Sequence, residues 1–430
     1  MNLYAQMLGQ LKTPEVMKQL TYLYGQRDGM LVHQSTRYSR LLKKHEELFQ
    51  HDGNVTFISA PGRAEIGGNH TDHNRGKVLA AAVNLDTVAA VSPRADNVVN
   101  LHSEGYAPIC VHLDDVTVHP EERGTTAALV RGVAFKMQEA GFVIGGFDAA
   151  MTSTVRGGSG LSSSAAVEVL LCAILDELYN GGKLDAKQRA IFSQYAENVY
   201  FGKPSGLLDQ MASSMGGLSY IDFQKDDPEV RALQYDFAQK GYGLVVVNSG
   251  GSHDDLTPDY TAIPQEMHAV AAFFEQENLR DVQPERFLQA IPQLREALKG
   301  QNADRAILRA AHYFAENRRV AEEVDALQSD DLPSFLRLII ESGRSSYCYL
   351  QNVFSSANRQ ELALALMLGE NLLCRDGAWR VHGGGFAGTT LNFVPLKRMD
   401  GFVHEMEAVF GAHSCDILDI RPVGPYCLRL

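Results

Sequence analysis

Arg156-Gly157-Gly158-Ser159-Gly160-Leu161-Ser162-Ser163-Ser164-Ala165-Ala166 runs directly into a helix expected over 163–180, whose apolar face carries Val167, Leu170, Leu171, Ile174, Leu175 and Leu178. Three glycines let the backbone turn tightly and leave room for a ligand to approach it. The hydroxyls that follow sit at a helix start, where unpaired N–H groups and the positive end of the helix dipole favour an anion. Serine hydroxyls add donors to phosphate and oxygen ligands for Mg²⁺. The loop is not a Walker A loop, which needs GxxxxGK[ST], and no HRD with a following DFG marks a protein kinase. Gly383-Gly384-Gly385-Phe386-Ala387-Gly388 matches GxGxxG, but a strand-like run at 389–394 follows it, where a dinucleotide fold requires a helix.

Outward from the loop, residues 1–50 read as helical. The chain then turns to short extended runs at 55–59, 88–92, 98–102, 109–113 and 145–151, each bounded by Gly, Pro, Asn or Asp. A second helix is expected over 186–201. The later chain is richer in helices (263–277, 284–297, 304–325, 332–347, 359–368), with strand-like runs at 244–248, 389–394 and 417–423. This pattern predicts an α+β protein.

With 430 residues, 45% hydrophobic and 21% charged, the chain has enough core for two domains. A formal net charge of -13 disfavours nucleic acid as a partner. The six cysteines show no CxxC pair or zinc spacing, so they read as free, mostly buried thiols of a reducing cytoplasm. The first thirty residues carry no signal-peptide core, and the longest apolar stretch, 78–91, is interrupted by Asn84 and Asp86, so no membrane span is expected.

Several segments together resemble the GHMP kinases. The loop core Gly160-Leu161-Ser162-Ser163-Ser164-Ala165 is similar to the family's second motif, and 383–390 to its glycine-rich third motif. Ala60-Pro61-Gly62-Arg63-Ala64-Glu65-Ile66-Gly67-Gly68-Asn69-His70-Thr71-Asp72-His73 resembles the galactokinase signature APGRVNLIGEHTDY, and Gly206-Leu207-Leu208-Asp209-Gln210 resembles GIMDQ. The resemblance implies a two-domain GHMP kinase fold. It comprises an N-terminal extension (1–30), a ribosomal protein S5 domain 2-like N-terminal domain (31–220) and a ferredoxin-like C-terminal domain (221–430). ATP and a sugar would meet between the domains, with transfer to the anomeric hydroxyl of galactose. Residue by residue, Gly157, Gly158, Ser159, Gly160, Leu161, Ser162, Ser163 and Ser164 match the phosphate-binding positions. Ser164 and Glu197 match the Mg²⁺ ligands, and Asp209 and Arg63 match the catalytic carboxylate and its neighbouring cation. Asn69, His70, Asp72, Gly206 and Tyr260 match the sugar-contacting positions. A monomer or weak homodimer is implied.

The chain departs from the galactokinase pattern at polar positions of the signature and ahead of the loop. It has Glu65 for Asn, Asn69 for Glu, His73 for Tyr, and Arg156 for Pro ahead of the loop. The family's glutamate at the position of Asn69 contacts the C6 hydroxyl. A neutral amide can still bond a hydroxyl, and it would also tolerate a carboxylate, so galacturonate is an alternative substrate. A non-catalytic sugar-sensing regulator is a second alternative, against which stand the intact Ser163-Ser164-Ala165, Arg63 and Asp209. Singly, Asp72 could be a turn residue, His70 and His73 structural histidines, and Glu197 part of a solvated helix face. Their joint spacing carries the reading.

Overall fold

The structure is a computed structural model. It describes residues 3–430 except 28, 52, 156–159, 252–255, 354, 355, 357, 375 and 387. Among the described residues the strands form two sheets. In chain order they are β1 (Thr56–Gly67), β2 (Lys77–Pro93), β3 (Val98–Ser103), β4 (Ile109–His112), β5 (Phe147–Ser153), β6 (Leu218–Asp222), β7 (Glu229–Leu233), β8 (Tyr242–Asn248), β9 (Ala378–His382), β10 (Thr389–Pro395), β11 (Cys415–Leu418) and β12 (Tyr426–Leu428). The larger sheet runs β12-β1-β2-β5-β3-β4, with the β6–β7 hairpin attached to β2. It is mixed: β3 and β5 are parallel and the other pairs antiparallel. The smaller sheet, β11-β8-β10-β9, is antiparallel throughout.

The long strands β1 and β2 are buried along nearly their whole length because both faces are covered. One face packs against the helices Thr126–Glu139 and Ser163–Tyr179, through residues such as Ile58, Ala89, Val133, Leu170 and Ile174. The other carries the N-terminal helices Leu3–Gln10, Pro14–Tyr24 and Met30–Phe49, whose Met7, Leu20, Tyr38 and Leu42 cluster with Phe57, Val88 and Leu428. The helices Leu3–Gln10 and Pro14–Tyr24 of the expected N-terminal extension therefore contribute to a core. A further apolar cluster joins the two sheets, with Ala64, Ile66 and Leu79 from the larger one against Leu244, Val246 and Phe393 from the smaller.

The extended run expected at 55–59 continues to Gly67, through Pro61, Gly62 and the first half of the substrate signature. Register shifts between Pro61 and Arg63 and between Glu65 and Gly67 accommodate those residues. The division expected after residue 220 falls inside β6, and both strands of the β6–β7 hairpin belong to the larger sheet. β12 brings the end of the chain back to β1. Residues 383–388 connect two antiparallel strands, β9 and β10, which is not the strand–helix setting of a dinucleotide site. The six thiols are free, but the expectation that most are buried is corrected. Cys110, on a strand at the edge of the larger sheet, Cys348 and Cys374 are exposed, and Cys172 alone is fully buried. No helix among the described residues is long and apolar enough to cross a membrane.

Candidate active site

The irregular end of β1 lies against the start of the helix Ser163–Tyr179, where the Arg63 N–H donates to the Leu161 carbonyl at 3.1 Å. Gly160 has φ +70°, and a Cβ there would run into the Thr389 hydroxyl of β10, so glycine is required for both reasons. Arg63, almost fully buried, donates from Nε to Asp209 Oδ1 at 2.7 Å and from Nη1 to the Gly160 carbonyl. Ser162, in the left-handed region at φ +57°, donates its Oγ–H to Asp209 Oδ2 at 2.5 Å instead of capping the helix. Burial pushes the Asp209 carboxyl up. The Arg63 charge and hydrogen bond, with the Ser162 hydroxyl, more than offset this and hold it below its usual range. Asp209 is thus an ionised carboxylate with 32% of its side chain still open.

A helix over Ala186–Tyr195 continues as a π-helical segment, Ala196–Phe201, which turns Glu197 inward. Such segments often mark functional positions. Glu197 Oε1 accepts from Ser164 Oγ at 3.2 Å and from Lys203 Nζ at 3.1 Å. Its Oε2 accepts from Ser205 Oγ at 2.6 Å and Gln210 Nε2 at 2.7 Å. Gln210 also donates to Glu168 Oε2 at 2.9 Å, while Glu168 Oε1, fully buried, has no hydrogen-bond partner among the described residues. Burial, then the neighbouring Glu197, pushes the Glu168 carboxyl well above its usual range.

On the other side of Arg63, the signature turns through a short 3₁₀ segment, Asp72–Asn74. A Cβ at Gly206 would collide with Asp72 Oδ2, so the missing side chain is what lets the loop before Asp209 close on that carboxylate. Three successive carbonyls of the β9–β10 connection accept hydrogen bonds from candidate sugar residues. Gly383 accepts from Asn69 Nδ2 at 2.7 Å, Gly384 from His70 Nε2 at 2.9 Å, and Gly385 from the Tyr260 hydroxyl at 2.9 Å. Burial, then His73, lowers the His70 pKa to about 3, so the ring is neutral and donates through Nε2.

The structure therefore gathers Arg63, Asp209, Ser162, Gly160, Asp72, Gly206, His70 and Tyr260 into one contiguous set, with Ser164 and Glu197 beside it. Leu161 points its side chain into the core between the sheets. Ser163 opens the helix. Gly157, Gly158, Ser159 and Arg156 lie outside the described residues. Reasoning from sequence did not single out Lys203, Glu168 or Asn352, nor Arg380, whose Nη2 lies 2.9 Å from Glu65 Oε1. Gln210 was visible only as part of its motif. The other four come from separate segments and carry no spacing signal.

The chain is similar to known proteins along most of its length. Residues 43–93 match the galactokinase galactose-binding signature, and 128–217 match the GHMP kinases N-terminal domain. The chain is 34% identical over 358 residues to the galactokinase of Streptomyces coelicolor, covering 82% of this chain and 88% of that one. It is 32% identical over 353 residues to the galactokinase of Glaesserella parasuis, covering 80% and 86%. In fold it is similar to Lactococcus lactis galactokinase complexed with galactose, with a TM-score of 0.77 at 24% identity over 91% of this chain and 99% of that one. It also resembles Methanococcus jannaschii mevalonate kinase, with a TM-score of 0.62 at 13% identity over 86% and 99%. With its α+β GHMP kinase fold, and with 34% and 32% identity to the Streptomyces coelicolor and Glaesserella parasuis galactokinases over most of their length, the chain belongs to the galactokinase family.

Proposed function

We propose that this protein transfers the γ-phosphoryl group of ATP to the anomeric hydroxyl of galactose, giving galactose 1-phosphate and ADP. The observation that carries the reading is the Arg63–Asp209–Ser162 cluster. It fixes an ionised, partly open carboxylate at the foot of the Ser163–Tyr179 helix, beside the segment matched to a galactose-binding signature. Phosphoryl transfer depends on in-line placement and neutralised charge more than on covalent help from the protein. The anomeric oxygen attacks the γ-phosphorus, and the bond from that phosphorus to the β–γ bridging oxygen breaks. Asp209 is the acceptor for the hydroxyl's hydrogen. With its proton affinity lowered by Arg63, it acts first as an orienting acceptor. It takes the proton only as the hydroxyl acidifies in the transition state. Arg63 adds positive charge where negative charge gathers. Asp72 beside Gly206, with His70 and Tyr260, would contact the sugar ring. Gly160, Ser163 and Ser164 at the helix start would face the phosphates.

Mg²⁺ fits the residues present. The Glu197 carboxylate lies 3.2 Å from the Ser164 hydroxyl, and the Lys203 ammonium already sits as a cation against that same carboxylate. Glu168 Oε1, buried and without a hydrogen-bond partner among the described residues, is a further oxygen close by. No group of three or more His, Cys, Asp or Glu suited to a metal occurs among the described residues. One carboxylate and a hydroxyl suit an ion that takes its remaining ligands from phosphate and water. When bound, Mg²⁺ would neutralise charge on the β- and γ-phosphates. The free thiols support a reducing cytoplasmic setting.

The test is turnover by the purified protein with ATP and Mg²⁺ on galactose, galacturonate, N-acetylgalactosamine and glucose. Galactose is expected to give galactose 1-phosphate. Turnover of galacturonate with none of galactose would overturn the choice of sugar, and saturable sugar binding without any turnover would point to a regulator.

A further inference from the structure

Asn69 stands among the candidate sugar contacts, yet its side chain is fully buried and has no capacity left for a sugar. Its Nδ2 donates to Glu65 Oε1 at 2.9 Å and to the Gly383 carbonyl at 2.7 Å. Its Oδ1 accepts from Asn352 Nδ2 at 2.8 Å and from Ser346 Oγ at 3.2 Å. A primary amide offers two donor hydrogens and two acceptor lone pairs, and all four are used inside the protein. The surroundings are equally specific: two acceptors face the nitrogen and two donors face the oxygen. A carboxylate at this position would set acceptor against acceptor at Glu65 and at Gly383. The family signature has an amide at the position of Glu65 and a carboxylate at that of Asn69. Here the two are exchanged, and the exchanged side chains bond each other.

Asn352 is also fully buried, and it reaches further. Besides holding Asn69, its Nδ2 lies 3.1 Å from the Gly384 carbonyl, the same oxygen that receives the His70 ring at 2.9 Å. A side chain that reads a hydroxyl must keep an atom open until the sugar arrives, as Asp72 and Asp209 do, with 12% and 32% of their side chains exposed. Asn69 keeps none. Turning it toward a ligand would strand buried partners on every side.

We propose that Asn69 and Asn352 are positioning residues: together they fix the Gly383 and Gly384 carbonyls against the substrate signature, and Asn69 contacts no hydroxyl of the sugar. This rests on the sugar-kinase reading above. The neutral amide at position 69 then ceases to be a reason to expect a C6 carboxylate on the substrate.

The test is steady-state kinetics of wild type, Asn69→Ala, Asn352→Ala and the double variant, on galactose and its 2-, 3-, 4- and 6-deoxy analogues. Each single variant is expected to raise KM for all turned-over sugars together by about tenfold or more, since displaced positioning acts on every substrate alike. KM for ATP should stay within about twofold, and so should the ratio of kcat/KM between galactose and each analogue, because no individual hydroxyl contact is lost. The double variant should be no more than about twofold worse than the worse single, as expected for two members of one network. Collapse of the discrimination against one analogue in Asn69→Ala would overturn the proposal, as would an unchanged sugar KM in both single variants. If Asn69→Ala does not fold, Asn352→Asp, nearly isosteric but without the donor, must still raise all sugar KM values in parallel or the proposal fails. Should wild type bind galactose without phosphorylating it, the kinase reading fails by itself, and the same ratios are then read from sugar Kd by calorimetry. Neither binding nor turnover by wild type would overturn both.

Discussion

Asp86 in β2 and Asp209 beside the Ser163–Tyr179 helix are each held by arginine and hydroxyl donors, and in each these partners together outweigh burial to keep the carboxyl below its usual range. Asp86 Oδ1 accepts from Arg37 at 2.6 Å, and its Oδ2 accepts from Tyr24 at 2.5 Å, Ser59 at 2.6 Å and Arg421 at 3.1 Å. Arg37 comes from the N-terminal helices and Arg421 from the last turns of the chain, so one sealed carboxylate ties both ends of the protein to the larger sheet. Asp209 has one arginine and one serine, and part of it stays open. The number of partners and the remaining exposure, not the chemistry of the group, separate a structural carboxylate from a functional one.

Removing each carboxylate is the most direct way to break that contrast. Asp209→Ala is expected to lower kcat by about 10²–10⁴-fold, the range for a positioned proton acceptor, while the unfolding midpoint moves little. Undiminished turnover would remove Asp209 from the mechanism. Asp86→Asn should do the reverse. It leaves two buried arginines short of their counter-charge, which costs about 3–5 kcal/mol when one member of a buried network is lost, with kcat per folded molecule unchanged. Urea denaturation alongside activity corrected for folded fraction checks it. A stable Asp86→Asn protein would show that the cluster does not anchor the ends.

The two regions also differ in how legible they are in the amino-acid sequence. The candidate site residues fall in short motifs whose spacing is set by local geometry. Examples are the loop ending at Ser164, Glu197 one helix later, and Asp209 three residues after the glycine that Asp72 packs against. The helix over 163–179 and most strands were legible for the same reason, since their periodicity is local. The Asp86 cluster joins positions 24, 37, 59, 86 and 421, which nothing in the order of residues brings together. β1 was read as far too short because Pro61, Gly62 and Gly67 look like strand breakers, and the register shifts that absorb them belong to the pairing with β2. The hydrogen bonds that fill the Asn69 amide come from residues 65, 346, 352 and 383, so the residue looks like a sugar contact in sequence and like a support in three dimensions.

Glu65 lies between the two cases and sharpens the comparison. It is nearly as deeply buried as Asp86, but among the described residues its carboxylate bonds one arginine, Arg380 at 2.9 Å, and the Asn69 amide. Here burial outweighs the attraction of Arg380, and the carboxyl is pushed up to about 7. Because the folded value exceeds the usual 4.5, the fold binds a proton that the unfolded chain releases. The stabilising contribution is complete below about 4.5 and is lost as pH rises to about 7, at roughly 1.4 kcal/mol per pH unit. Glu65→Gln stays neutral at every pH and has no such dependence. The stability of wild type minus that of the variant should therefore fall across that window and level off on either side. Urea midpoints of both proteins from pH 4.5 to 8 would measure it. Parallel profiles would mean that Arg380 alone holds Glu65 ionised, in which case one buried arginine suffices where Asp86 uses two.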